Sequence, residues 1–388
     1  MTNHIKLVRI TTISRSLSGL LKGQFSFMSQ YFDVIAISGG GIELEKVRKE
    51  EGVRVASVKM ERDISLIRDF ISLINLIKLF LKEKPEIVHT HTPKAGLLGM
   101  IAAWCVRVPV RIHTVAGLPL MEKSGFKKRI LNLMEKITYK CAHKVYPNSL
   151  GLKKYILENN LTKGNKLQVI GNGSSNGINL SYYDSNRISD ELANNTRRNL
   201  GIAPDDFIFI YIGRVVKDKG VEELITAFKK LSDEYSHIKL LILGKYEEEL
   251  DPVSDYVKDT INTNENIIFT GFQADIRPFL KVATVLVHPS YREGFPNVVM
   301  QAGAMNIPSI VTDINGSNEI IKDKVNGFII PLKNELALFE KMKYLYKNQD
   351  ILFNLKSCCR EMIANRYEQS FVWNEILKEY KAFEELLD

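Results

Sequence analysis

Two stretches in the second half of the chain place charged residues where a bound anion would need them. In "IGRVVKDKG", Ile212–Gly220, Arg214 and Lys219 follow the apolar run "FIFIYIG" and precede a helical pattern, "GVEELITAFKKL". A guanidinium fork and a point-charge ammonium at a strand's end suit a diphosphate. Two solvated surface cations are the plainer alternative. In "EGFPNVVMQAGAM", Glu293 and Gly294 stand before an apolar helix whose first turn suits Pro296. The start of such a helix, at Gly294–Phe295, offers free backbone N–H groups and a positive dipole end to an anion. Gln301 lies eight residues beyond Glu293, about 12 Å along a continuous helix. The pair can hold two ends of one elongated ligand: sugar hydroxyls on the carboxylate, phosphates at the helix start, a ribose at the amide. An N-capping glutamate and a surface glutamine are the alternative.

The first half carries histidines at strand ends, in "HTHTPKAGLLG" (His89–Gly99) and "RIHTVAG" (Arg111–Gly117). His113 at a cleft edge can hydrogen-bond a sugar hydroxyl or stabilise developing charge. His89 and His91 are two residues apart on a strand and share a face; a satisfied structural histidine is the plain alternative for each. "SGGGIEL" (Ser38–Leu44) lacks the third glycine of a dinucleotide fingerprint. The loop "GNGSSNGIN" (Gly171–Asn179) reads as hinge and cleft lining. Walker A, H-E-x-x-H, G-x-S-x-G and clustered metal ligands do not occur.

The elements that must position these residues alternate. Seven apolar runs ("IKLVRITT", "DVIAISG", "VRVASVKM", "EIVHTHT", "VRIHTVAG", "HKVYPNS", "LQVIGNG") read as strands. Helical stretches over 64–82, 96–106, 127–141 and 150–159 lie between them. A polar run, "SYYDSNRISDELANNTRRNLG", reads as structureless. The pattern then restarts with "FIFIYIGR", "IKLLILG", "NIIFTGF", "TVLVHPS", "PSIVTD" and "GFIIP", and three helices close the sequence. The expectation is two doubly wound α/β domains, 1–180 and 181–365, with a helix over 366–388 packing back on the first. Ligands in such sheets collect beyond the carboxyl ends of the strands, where these motifs fall.

Composition narrows the function classes. The four cysteines, Cys105, Cys141, Cys358 and Cys359, have neither disulfide-scaffold nor zinc-site spacing. The opening "MTNHIKLVRITT" lacks a signal-peptide pattern, and no apolar run reaches a membrane span. Residues 1–180 hold 28 Lys and Arg against 13 Asp and Glu; the rest holds 25 against 32. A basic first half facing an acidic second half points to an anionic partner for the first. The segment 121–144 concentrates that charge, with Lys123, Lys127, Lys128, Arg129, Lys136, Lys140 and Lys144 around Ile130, Leu133, Met134 and Ile137. It reads as a solvated helix or as a docking surface for anionic lipid. No recognition-helix signature favours nucleic acid.

Taken together, the motifs resemble the retaining GT-B glycosyltransferases of family 4 over nearly the whole chain. The strings "THTPKAGLLGM", "RIHTVAGLPLME", "VYPNS" and "HPSYREGFPNVVMQAGAM" resemble the subgroup building capsule and O-antigen glycans on polyprenyl-diphosphate carriers. The resemblance implies two Rossmann-like domains facing across a cleft. It implies transfer from a nucleotide sugar, UDP favoured, to a polyprenyl-diphosphate-linked saccharide, with retention and without metal or cofactor. It assigns Glu293 and His113 to catalysis, Arg214, Lys219, Gly294 and Phe295 to the donor diphosphate, and Gln301 to the ribose. His91, Lys94, Gly19 and Gly23 fall to the acceptor side or cleft. A cytoplasmic enzyme attached peripherally to the inner membrane face is expected. Two departures stand out: Gln301 replaces the family's second glutamate, and the loop "TTISRSLSGLLKGQ" lacks paired glycines, leaving Gly19 and Gly23 in their stead. A GT-B epimerase or hydrolase, and a binding protein without turnover, are the rivals.

Overall fold

A computed structural model describes residues 5–385 except 62, 64, 123 and 250. Lys123 of the basic segment thus lies outside the described residues. The chain forms two compact units, Met1–Gly177 with Gln369–Asp388, and Ile178–Glu368.

The first unit is built on a parallel sheet of β1 (Lys6–Ile10), β2 (Asp33–Ser38), β3 (Arg54–Ser57), β4 (Ile87–His91), β5 (Val110–Val115) and β6 (Lys144–Pro147), ordered β3-β2-β1-β4-β5-β6. Its central strands read as unbroken apolar runs because both faces are covered. Val8, Ile10, Ile35 and Ile37 pack one way, against Leu76, Phe80, Met100 and Tyr139. Leu7, Val34, Ala36 and Ile112 pack the other way, against Leu17, Phe25 and, from the last helix Gln369–Glu384, Val372, Ile376 and Tyr380.

The second unit repeats the plan with β7 (Phe207–Ile212), β8 (Ile238–Leu243), β9 (Ile267–Gly271), β10 (Val285–His288), β11 (Ser309–Thr312) and β12 (Gly327–Ile330). The order is β12-β11-β10-β7-β8-β9, again all parallel. Strand order therefore reverses between β1 and β4 in one unit and between β7 and β10 in the other. At such a reversal the two following loops diverge to opposite faces and leave a crevice.

Four sequence expectations are corrected. "LQVIGNG" is no strand: Leu167 makes only an isolated bridge to Val145, and the chain then turns through Gly171 and Gly173 at positive φ. Among the described residues the first sheet has six strands, not seven. The supposedly structureless run contains a helix, Asp190–Asn199, capped by Ser189 accepting from the Leu192 amide. Its acidic first turn and basic last turn complement the helix dipole, but one buried residue, Ala193, leaves almost no apolar stripe to read. The loop after β1 includes a helix, Ser14–Leu20, anchored by buried Leu17. Helix Pro93–Cys105 begins three residues before the expected Gly96 because Pro93 occupies its first turn.

Candidate functional site

The β7–β10 reversal explains how two motifs more than seventy residues apart become neighbours. The loop after β7 carries Arg214 and Lys219; the loop after β10 carries Glu293. Gly220 locks the loops together. Its φ is +68°, and a Cβ there would overlap the Pro289 carbonyl oxygen. Backbone and side chain continue the seam: the Tyr291 amide donates to the Asp218 carbonyl at 2.9 Å, and Arg292 Nη2 donates to Asp218 Oδ2 at 2.9 Å. A third loop, after β11, closes on the same point. Asn315 Nδ2 donates to the Glu293 carbonyl, and a Cβ on Gly316 would lie 2.5 Å from the Gly294 carbonyl oxygen.

Within this frame Lys219 Nζ donates to Glu293 Oε1 at 2.6 Å and His288 Nε2 meets the same oxygen at 3.0 Å. Oε2 has no hydrogen-bond partner among the described residues. Burial pushes the Glu293 carboxyl up, but the His288 hydrogen bond and the Lys219 ammonium outweigh it and hold the group at about 2. Glu293 is thus a fixed carboxylate, unsuited to delivering a proton near neutrality. Arg214 is more open: its Nη1 donates to Glu247 at 2.8 Å, and Nη2 lies 3.9 Å from Asp218.

The helix after Glu293 spans Asn297–Ala304, with Pro296 in the N-cap position. Residues 293–296 are outside it, so the expected 12 Å helical spacing to Gln301 is corrected: only the stretch from Asn297 to Gln301 is helical, about 6 Å of rise. The Phe295 ring is buried and packs edge-on against Tyr367, with centroids 5.2 Å apart. Any contact to an anion from Gly294–Phe295 must therefore come from the backbone, whose two amides have no protein acceptor among the described residues. Gln301 Nε2 donates to the Tyr183 hydroxyl at 2.8 Å.

The candidates in the first unit are placed differently. His113 is not at an open strand end. It pairs in register with Thr90, bonds Thr90 Oγ1 through Nδ1 at 2.8 Å and fills the space a Cβ on Gly96 would need. Burial holds its imidazole down at about 4. In this structure His113 is thus a buried histidine, 2% exposed. His89 and His91 do share a face, with ring centroids 4.2 Å apart. His91 Nε2 lies 2.9 Å from Arg9 Nη2, and burial followed by the adjacent His89 and Arg9 charges pushes it well down. Lys94 is buried and bonds Asp69 Oδ1 at 2.6 Å and the Asp63 carbonyl at 2.8 Å. That ion pair ties helix Pro93–Cys105 to helix Leu66–Glu83.

The two glycines of the loop after β1 sit in different settings. Gly19 sits exposed in a helix with open space beside it, and Gly23, at φ +81°, makes room for the Trp373 ring. His288, Glu247 and Tyr183 escaped the sequence-based expectations. His288 alone had a signal, as the last residue of an apolar strand entering the Glu293 loop. The described residues with metal-ligand geometry, Asp205, Asp206 and His237, lie at the opposite, amino ends of β7 and β8.

Comparison with known proteins gives concordant matches over both halves. A family model described as "Glycosyl transferases group 1" matches residues 193–368, and a "Glycosyl transferase 4-like domain" matches residues 30–173. The chain is 36% identical over 384 residues to the capsular polysaccharide biosynthesis glycosyltransferase CapM of Staphylococcus aureus, covering 97% of each. It is 30% identical to the UDP-Gal:alpha-D-GlcNAc-diphosphoundecaprenol alpha-1,3-galactosyltransferase of Escherichia coli, covering 79% of this chain and 78% of that one. In fold it matches Anabaena Alr3699/HepE, solved in complex with UDP, with a TM-score of 0.80, 16% identity, and 97% and 100% of the two chains covered.

Proposed function

Because the chain belongs to the GT-B glycosyltransferases of family 4, we propose that it moves a sugar from a UDP-sugar onto a polyprenyl-diphosphate-linked saccharide, with retention and without a metal. The observation carrying this is the meeting of Lys219 and Glu293 at 2.6 Å beside the amides of Gly294 and Phe295, which have no acceptor among the described residues. Arg214, Lys219 and those amides receive the departing diphosphate and stabilise its charge in place of a metal. Glu293 Oε2 accepts from hydroxyls of the donor sugar, and Gln301 addresses the ribose. Retention follows the family's usual course. The donor and acceptor classes are supported by the E. coli relative, whose name states both.

The test is a screen of nucleotide sugars with a polyprenyl-diphosphate-linked monosaccharide, reading released nucleoside diphosphate with and without chelator. Release that requires acceptor and survives chelation is expected. Release without acceptor would replace the transferase by an epimerase or hydrolase.

We propose further that the first unit attaches to an anionic membrane surface, as a lipid-linked acceptor requires. Among the described residues no helix is long and apolar enough to cross a membrane. Yet helix Leu66–Glu83 exposes Leu66, Ile67, Phe70 and Ile71, the first two at 83% and 77%. Helix Gly125–Cys141 buries Glu135, Thr138 and Tyr139 and leaves Phe126 and Leu133 outside, amid exposed Lys127, Arg129, Lys136 and Lys140. Both helices flank Pro93–Cys105. Apolar residues ringed by cations fit an anionic bilayer, each cation adding about 1 kcal/mol at its surface. Cosedimentation with phosphatidylglycerol vesicles, weakened by Ile67→Ser with Phe70→Ser, is expected. Equal binding to phosphatidylcholine, or none at low salt, would refute it.

A further inference from the structure

The Glu293 carboxylate is held by two donors of different character. Lys219 reaches it on a flexible stem from another loop and is also assigned to the diphosphate. His288 reaches it from the last residue of β10, whose backbone is paired with Val311, and its ring is buried. Nδ1 of the same ring is buried without a partner. An ionised carboxylate can only accept, so Nε2 carries a proton that faces Glu293.

Resting on the assignment of Glu293 to the donor sugar, we infer that His288 is the positioning residue that fixes which carboxylate oxygen faces the substrate. Both donors meet Oε1, so Oε2 is the oxygen left for sugar hydroxyls. When a diphosphate draws the Lys219 ammonium toward itself, the imidazole stays, because its strand and its burial allow no comparable swing. The carboxylate then keeps its orientation through the step in which the sugar–phosphate bond breaks. Without the ring, Glu293 is free to rotate and follow Lys219 toward the phosphates, or to lose its hold on the sugar. Loss of orientation at a reacting centre reduces turnover and leaves the affinity for a ligand without the sugar unchanged.

Two polar substitutions separate positioning from mere support. In His288→Gln an amide nitrogen lies close to the Nε2 position and can still donate to Glu293. In His288→Asn the amide falls at the Nδ1 position and stops short. The measurements are kcat and KM with the UDP-sugar selected in the donor screen, and calorimetric affinity for UDP. His288→Asn should lose about 10-fold to 100-fold in kcat, His288→Gln should recover most of it, and both should bind UDP within about twofold of wild type. Equal kcat in His288→Asn and wild type, with Glu293→Ala inactive, would overturn the role of His288 alone. Full turnover in Glu293→Ala would overturn the sugar-binding assignment and this inference with it. A readout free of turnover is the imidazole proton spectrum of histidine-labelled protein. It should hold a protected Nε2 proton that is lost in both His288→Asn and Glu293→Ala, and no such resonance in wild type would also refute the inference.

Discussion

Replacing Gln301 by glutamate restores the residue the family carries and tests whether the amide marks a tuned site or a dead one. In the structure the amide nitrogen donates to the Tyr183 hydroxyl at 2.8 Å. A carboxylate cannot donate, but the phenol can turn and donate to it, so the contact survives with its polarity reversed. Burial already pushes the Tyr183 phenol up to about 12, so it stays protonated and able to donate. Two things change: the hydroxyl is committed to residue 301, and the second oxygen becomes a charged acceptor for ribose hydroxyls. Hydrogen bonds to charged groups contribute about 1 kcal/mol more than neutral ones, so the gain in UDP affinity is roughly fivefold. On the proposed assignment the group lies at the ribose end, away from the bond being broken, so kcat at saturating donor should not move. Calorimetry with UDP and saturation kinetics read the two quantities separately. Repeating both in the Tyr183→Phe background gives the coupling between the residues. A gain of about tenfold or more in kcat would refute the reasoning, because a remote binding contact does not act selectively on the transition state.

Arg214→Ala should weaken UDP binding, whereas Glu247→Gln should strengthen it severalfold at low salt by releasing Arg214 from its 2.8 Å ion pair; calorimetry at two ionic strengths checks both. Gly220→Ala forces a Cβ against the Pro289 carbonyl at φ +68°, a strain of about 1–3 kcal/mol for the backbone alone. A lowered urea midpoint, together with lost UDP binding, is expected. Glu293 is held at about 2, below its ordinary 4.5, so its stabilisation is complete above about pH 4.5 and vanishes as pH falls toward 2. Wild type should therefore exceed Glu293→Gln by up to about 3 kcal/mol near neutrality, with the gap closing between pH 4.5 and 2 in urea melts followed by circular dichroism.

The second unit was largely legible because its signals are local. Each strand is an apolar run ending in a loop with the relevant charge, and Arg214, Lys219 and Glu293 stand just past those ends. What joins them is topology: only the β10–β7 pairing shows that Lys219 and Glu293 touch. The first unit is less legible because histidine at a strand's end looks alike whether it faces solvent or core. His113 is two residues short of the end of β5 and, by strand alternation, faces the helix layer opposite to His89 and His91. The Lys94–Asp69 pair is not evident from the sequence because Asp69 is 25 residues upstream on another helix. The helix Asp190–Asn199 went unseen for want of an apolar stripe, although its Ser cap and charge order were in plain view.

The last helix, Gln369–Glu384, belongs to the first unit. Tyr380 bonds His89, Glu379 accepts from Tyr146 at 2.8 Å, and Trp373 donates to Asn176 at 2.6 Å. On the ribosome this inverts the usual order of maturation. The first unit emerges with one face of its sheet lacking Val372, Ile376 and Tyr380, and must wait while residues 178–368 are synthesised. At about 5–20 residues per second that delay is roughly 10–40 s. During it the second unit, contiguous in sequence, can complete itself first. The nascent first unit therefore has a long window as a client for chaperones, and synonymous codon changes that slow elongation within residues 178–368 should lengthen it and lower soluble yield without altering one amino acid.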